Sequence, residues 1–433
     1  MRILVITLFI LVSSVAWSQR NKRQPSPVRV NQARIEQRIF ELAKYGKESN
    51  GESQRVAFTR ADIEGRQYFI GLMKQAGLDV SVDFAGNIIG RRAGKDSSKK
   101  PIAFGSHIDT VPHGGNYDGC YGSISALEVI EILNENKIVT NHPLEVIIFS
   151  NEEGGVVGSS ALAGQLRMEA LDEKTNSGLT MREGINAIGG NADRIGEVKR
   201  SKGDIRYFVE LHIEQGGTLE REKIQIGVVE GIVGLNWWEV TVEGFANHAG
   251  TTPMNMRKDA LLTASKMVLA INETVNSFEG RQVGTVGKLS VSPGAPNVIP
   301  GKVVFTLELR DLSAEKIKMV YEAIQTRAQA LAKESGTTIS FKPLSISSKP
   351  AIAAKEIQDK IVESSNELGY THLFLPSGAG HDAQEMALLA PMGMIFIPSV
   401  GGISHSPKEF STAEDMARGA NVLLRTILKL DNQ

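Results

Sequence analysis

The chain has 433 residues, with 48 basic and 49 acidic side chains, a formal net charge of -1 and a single cysteine. That length corresponds to roughly two to three domains and is ample for a large buried core. Hydrophobic residues at 41% and charged residues at 22% exclude wholesale disorder and a polytopic membrane protein. The near-zero charge speaks against a general nucleic-acid binder, and one cysteine excludes an intramolecular disulfide or a cysteine-based metal cluster.

At the N-terminus, Met1-Arg2 precedes the apolar run 3–12, and Ala16-Trp17-Ser18 leads to Gln19. A charged start, a short apolar core and a small-residue cleavage site have the layout of a signal peptide. The run is too short for a comfortable membrane span, although an uncleaved anchor is the alternative. Residues 1–18 are therefore expected to direct export, most simply to a periplasm, with no stable membrane association after cleavage. Residues 19–30 read as a polar, basic linker.

Apolar periodicity predicts helices over 33–45 and 61–76, then short strands over 78–83 and 86–91. Segment 101–107 reads as a buried strand ending in a polar loop, 123–135 as a helix, and 143–150 and 205–213 as further buried strands. Polar chemistry recurs at these strand ends, where open α/β sheets place ligands. The rhythm then changes: strand 236–243, helix 257–276, strands 283–292 and 302–310, helix 313–334, strand 337–343. That order is β-α-β-β-α-β, the ferredoxin-like arrangement. The α/β pattern resumes with helix 354–368, strand 371–375, helix 380–389, strand 393–398 and helix 412–430. The simplest organisation is one α/β domain, over 31–233 and 347–433, interrupted by an inserted α+β domain over 234–346.

Five segments carry metal-type chemistry. His107-Ile108-Asp109 follows a strand; an imidazole there can ligate while the Asp fixes its tautomer. Asp118, in Gly114-Gly115-Asn116-Tyr117-Asp118-Gly119, can bridge two cations with its two oxygens, or can simply make an Asp-Gly turn. Glu152 and Glu153 are adjacent carboxylates at the end of an apolar strand, costly there unless something positive lies near. One would ligate and the other act as general base; the alternative is a solvated acidic turn. His212, in Leu211-His212-Ile213-Glu214-Gln215-Gly216, and His405, in Gly401-Gly402-Ile403-Ser404-His405-Ser406-Pro407-Lys408-Glu409, add two imidazoles. The set is mixed N/O without sulfur, which suits Zn²⁺ and tolerates Mn²⁺ or Co²⁺. Two ions about 3.5–4 Å apart, bridged by a carboxylate, would clamp a water and a carbonyl.

These motifs, in this order, resemble the M20-type metallohydrolases. Leu211–Gly216 and Asn247-His248-Ala249-Gly250-Thr251-Thr252-Pro253-Met254 resemble the amidase and carbamoylase branch in particular: N-carbamoyl-L-amino-acid hydrolases, β-ureidopropionases and allantoate amidohydrolases. The resemblance spans about residues 33–430. It implies a zinc-peptidase-like catalytic domain with an inserted lid that dimerises, and two divalent cations. His107, Asp118 and His212 would hold one ion and Asp118, Glu153 and His405 the other, with Glu152 as general base and Asp109 orienting His107. His248 would stabilise an oxyanion. Gln215, Asn297 and Arg310 would bind a ureido-acid substrate, Arg310 through its carboxylate; the alternative for Arg310 is a local salt bridge with Asp311. In this branch the stretch after N-E-E-G is usually longer and carries an Arg-Phe pair. Here Gly155–Ala161 is short, and Ser160 stands where a later Arg is expected, which bears on the pocket wall.

The implied reaction is hydrolysis of a carbamoyl C–N bond. An exopeptidase or deacylase is the rival within the fold, and a non-catalytic ligand-binding protein the rival outside it; the latter has no need for Glu152. His113, His142 and His372 join no motif. His381 is expected to support the site rather than ligate, Cys120 not to be a nucleophile, and the methionines of 386–394 to be core.

Overall fold

The computed structural model describes residues 28–433, so the signal-peptide segment and most of the linker lie outside the described residues. Residues 79–232 and 351–397 build one nine-stranded sheet. Its strands lie in the order Asp79–Val82, Ile88–Arg92, Leu144–Phe149, Ile102–His107, Tyr207–Ile213, Met392–Ile397, Ile226–Ile232, Ala351–Ile352, with His372–Ser377 also paired to Ile226–Ile232. Every residue of the four strands from Leu144–Phe149 to Met392–Ile397 is buried. Strands covered on both faces favour near-continuous apolar runs, which the sequence supplies apart from buried polar residues such as Glu145 and Glu210.

These four strands are mutually parallel. Their carboxyl ends therefore open on one edge, and the loops after them share a single crevice. The helix Cys120–Glu135 packs on this region and is buried all round from Cys120 to Ile130, while its acidic stripe Glu128, Glu131 and Glu135 pairs with Arg34 and Arg38. It begins three residues before the expected start. The helix expected over 380–389 is the shorter Asp382–Met386.

Periodicity gave no strand at Ile226–Ile232. This strand runs antiparallel to Met392–Ile397 and parallel to His372–Ser377, so the sheet is mixed rather than uniformly wound. Its residues, apolar but for Glu230 and buried on both faces, carry no alternation to mark it.

The second sheet comes entirely from residues 234–348. Its order is Thr338–Ser348, Gly234–Glu243, Lys302–Asp311, Leu289–Ser292, antiparallel throughout, with Val283–Thr285 also on Lys302–Asp311. Thus the strand expected over 283–292 is two short pieces. Helices Ala260–Ser277 and Ala314–Ser335 enclose a separate core around Val240, Met267, Phe305 and Ile324. Asp259 and Ser313 cap their first turns, accepting from the amides of Leu261 and Leu262 and of Lys316. Among the described residues, no helix is long and apolar enough to cross a membrane.

Candidate active site

The crevice at the sheet edge gathers the polar residues of four loops. His107 ends its strand, Glu152 and Glu153 follow Phe149, His212 is the penultimate residue of its strand, and His405 lies in the loop after Ile397. Asp118 comes from the turn before helix Cys120–Glu135. That turn needs Gly119: its φ is 61°, and a Cβ there would lie 2.2 Å from His107 Nε2.

Asp118 is the hub. Its Oδ1 is 3.0 Å from His212 Nε2 and 3.5 Å from His107 Nε2, and its Oδ2 is 3.3 Å from His405 Nε2. Glu153 Oε1 lies 3.5 Å from His405 Nε2, and Glu152 Oε2 is 3.6 Å from His107 Nε2. Two donor sets follow, His107–Asp118–His212 and Asp118–Glu153–His405, each with ligand atoms within 4.8 Å of one another.

The tautomers show that these sets fit cations. His107 Nδ1 contacts the Asp109 carbonyl at 3.0 Å, and His212 Nδ1 the Ile213 carbonyl at 2.9 Å. A carbonyl only accepts, so both Nδ1 atoms carry protons. In the neutral rings the His107 Nε2 lone pair faces Asp118 Oδ1, and the His212 Nε2 lone pair, which takes the Gly119 amide at 3.1 Å, faces the same oxygen. Two acceptors face to face need a proton or a metal ion between them. Glu153 Oε1 is likewise buried without a hydrogen-bond partner.

Electrostatics reflect the same frustration. Burial opposes charge on His107, but the surrounding carboxylates, led by Glu152, hold it protonated well above its ordinary value. Burial acts against ionised Asp118 too, yet His212, His107 and His405 keep its carboxyl well below the usual range. Burial and then Asp118 push Glu153 up to about 7, and burial raises Glu152 well above the carboxylate range, with His107 opposing. The hydrogen bond to Asp118 pushes His405 up to about 9.

Asp109 departs from its expected role. Its carbonyl, not its carboxylate, fixes His107; the carboxylate Oδ1 is 3.8 Å from that ring. Instead Oδ1 accepts from the Glu152 amide at 3.2 Å and Oδ2 from the Glu153 amide at 3.1 Å. The carboxylate thus clamps the loop bearing both glutamates.

Gln215 Nε2 donates to Asp118 Oδ2 at 2.7 Å from a residue at φ 58°, so it stands in the cluster. His248 and Asn297 do not. They sit on the insert, at the small ribbon Asn247–His248 against Val298–Ile299, and His248 is exposed. Among the described residues, none of their hydrogen bonds reaches the cluster. His248 Nδ1 accepts the Gly250 and Thr251 amides at 3.0 and 3.1 Å, so Nε2 carries its proton outward. Arg310 makes no salt bridge with Asp311, which pairs with Lys316. It pairs with Glu308 and donates from Nη1 to the Gly378 carbonyl at 2.5 Å, linking the insert to the turn before His381.

His381 packs its ring on His212 with centroids 4.5 Å apart and bonds Ser377 Oγ at 2.8 Å. Below it, Glu210 accepts from Ser106 Oγ at 2.7 Å and the Ala383 amide at 2.9 Å. Cys120 is fully buried, 3.0 Å from Arg55 Nη2. His142, outside every motif, is buried in the loop before Leu144–Phe149, with Nδ1 at 2.7 Å from the Lys100 carbonyl. Met386, Met392 and Met394 are core. Sequence reasoning passed over Glu210, Arg55 and Glu409; the last stands in the same short motif as His405.

The fold and site define a mixed α/β scaffold with a candidate metal site of histidines and carboxylates at one sheet edge. The chain belongs to peptidase family M20/M25/M40, whose model matches residues 103–429. It is 40% identical to the N-carbamoyl-L-amino acid amidohydrolase of Geobacillus stearothermophilus over 92% of this chain and 98% of that protein. It is 36% identical to the ureidoglycolate hydrolase of Arabidopsis thaliana, covering 94% and 88% of the two chains. The crystal structure of an amidase of the hydantoinase/carbamoylase family from Burkholderia multivorans superposes with a TM-score of 0.87 at 37% identity, over 94% of this chain and 99% of the other.

Proposed function

We propose that this protein hydrolyses the carbamoyl C–N bond of an N-carbamoyl amino acid or a related ureido acid, releasing the amino acid, CO₂ and ammonia. The observation that carries this is the pairing of Glu152, which faces His107, with a two-lobed donor set centred on Asp118. His107, His212 and Asp118 Oδ1 would hold one divalent cation, and Asp118 Oδ2, Glu153 and His405 the other. Bound there, Zn²⁺ in the first place, or Mn²⁺ or Co²⁺, supplies Lewis acidity and a more acidic water. Glu152 would accept a proton from the attacking water as the water's oxygen adds to the carbamoyl carbon. The bond from that carbon to the amino-acid nitrogen breaks, Glu152 returns the proton to the nitrogen, and the carbamate left behind decomposes to CO₂ and ammonia. His248, with its proton on Nε2, is suited to donate to the oxyanion once the insert closes as a lid. Arg310, Asn297 and Gln215 would hold the substrate. The test is ammonia release by metal-reconstituted protein from N-carbamoyl-L-α-amino acids, N-carbamoyl-β-alanine and allantoate, with free amino acid measured in parallel for these and for a dipeptide and an N-acetyl amino acid. Turnover of only the last two would replace the reading with an exopeptidase or deacylase.

Two finer points belong to the same reading. Exposed Leu262 and Leu269 on helix Ala260–Ser277, and the edge strand Leu289–Ser292, favour a homodimer through the insert; a monomer by light scattering at micromolar concentration would refute it. Export follows from residues 1–18, and N-terminal sequencing of the native protein should begin near Gln19.

A further inference from the structure

We infer that Glu409 is a positioning residue that builds the outer of the two cation sites, the one formed by Asp118 Oδ2, Glu153 and His405. This rests on the two-cation reading above.

Glu409 is 5% exposed, and its carboxylate takes four donors from two loops. Oε1 accepts from the amides of Tyr117 and Asp118 at 2.8 and 3.0 Å. Oε2 accepts from Ser404 Oγ at 2.9 Å and from the His405 amide at 3.3 Å. One side chain thereby ties the backbone of the bridging ligand to that of a ligand 287 positions later, the difference between 118 and 405. The inner set has other support, since His107 and His212 are strand residues fixed by carbonyls. His405 has none of that: it is half-exposed, on a loop, and at φ 52°. A left-handed non-glycine conformation persists only where its surroundings impose it.

Two local features fit this role. Gly115 leaves room for the carboxylate, since a Cβ there would come within 2.3 Å of Glu409 Oε1. Ser404 has one proton and two acceptors, Asp118 Oδ2 and Glu409 Oε2, each at 2.9 Å. With a cation held at Asp118 Oδ2, Ser404 would be free to give its proton to Glu409.

Glu409→Gln leaves one acceptor for two loops and sets an N–H₂ against amide donors. The packing of Phe410 on Tyr117, with centroids 5.6 Å apart, is retained. The experiment is calorimetric titration of the demetallated full chain with Zn²⁺ alone, with thermal unfolding followed in parallel. The wild type should bind two equivalents. In Glu409→Gln the first should keep its affinity, and the second should weaken by about 10- to 100-fold, the usual effect of losing a partner behind a metal ligand. Turnover should fall at limiting Zn²⁺ and recover in excess, with KM unchanged. Gly115→Ala, which crowds the same carboxylate from the other side, should reproduce the pattern and serves if Glu409→Gln does not fold. Equal weakening of both equivalents, or an unchanged second one, overturns the inference. A wild type that binds fewer than two equivalents instead removes the two-cation reading beneath it.

Discussion

Asp109→Asn separates two accounts of a buried aspartate. If its carboxylate oriented His107, the substitution would disturb the inner cation site. In the structure the backbone carbonyl does that work, and asparagine keeps the carbonyl. What the substitution removes is one of two acceptors for the Glu152 and Glu153 amides, at 3.2 and 3.1 Å, and it turns an N–H₂ towards one of them. Asp109 is 2% exposed, so water cannot substitute. A hydrogen bond to a charged group contributes about 1.5–3 kcal/mol. At about 1.4 kcal/mol per decade, loss of one such bond lowers turnover by roughly 10- to 140-fold if it displaces Glu152 from the reacting water. The assay is kcat on the best ureido substrate, with metal titration alongside. Turnover should fall in that range while the first equivalent of metal binds within about threefold of wild type, well under one such bond. Loss of the tightest metal with turnover preserved in excess metal would refute the reasoning and restore the carboxylate to His107.

Glu152→Gln should retain both cations and lose about 10²- to 10⁴-fold in kcat, because an amide cannot accept the proton; a near-normal kcat with stoichiometric metal removes Glu152 as the base. Gly119→Ala should both destabilise the fold and release metal, since the new methyl would meet His107 at 2.2 Å; a variant with normal melting temperature and two bound cations would show that the turn can move aside. Arg310→Ala should lower kcat/KM for a ureido acid by roughly 10- to 150-fold while sparing the corresponding carboxamide. Equal loss on both would make Arg310 a strut, through its bonds to Glu308 and the Gly378 carbonyl.

Much of the site was legible because its chemistry is local. His107, Asp118, Glu152, Glu153, His212 and His405 each sit in a short Gly-rich or acidic segment at the end of an apolar run, and polar groups in such places are costly without a purpose. The split organisation was legible too, because the hydrophobic period and the order of elements change at about residue 234 and return near 350. The sequence also carried the family resemblance, through motifs in order. Tertiary structure decided what depends on distance. It gave the Asp109 carboxylate to two backbone amides rather than to a ring, because the loop after Phe149 returns over it. It reversed the strand direction at Ile226–Ile232, a strand buried among neighbours on both edges and so without alternation. It drew Glu409 under Asp118 and left His248 and Asn297 on the insert, away from the cluster. Local patterns fix which groups can do chemistry, because side-chain type and spacing are properties of a few residues. Which of those groups meet is set by the packing of parallel strands onto one edge, a property of the whole chain.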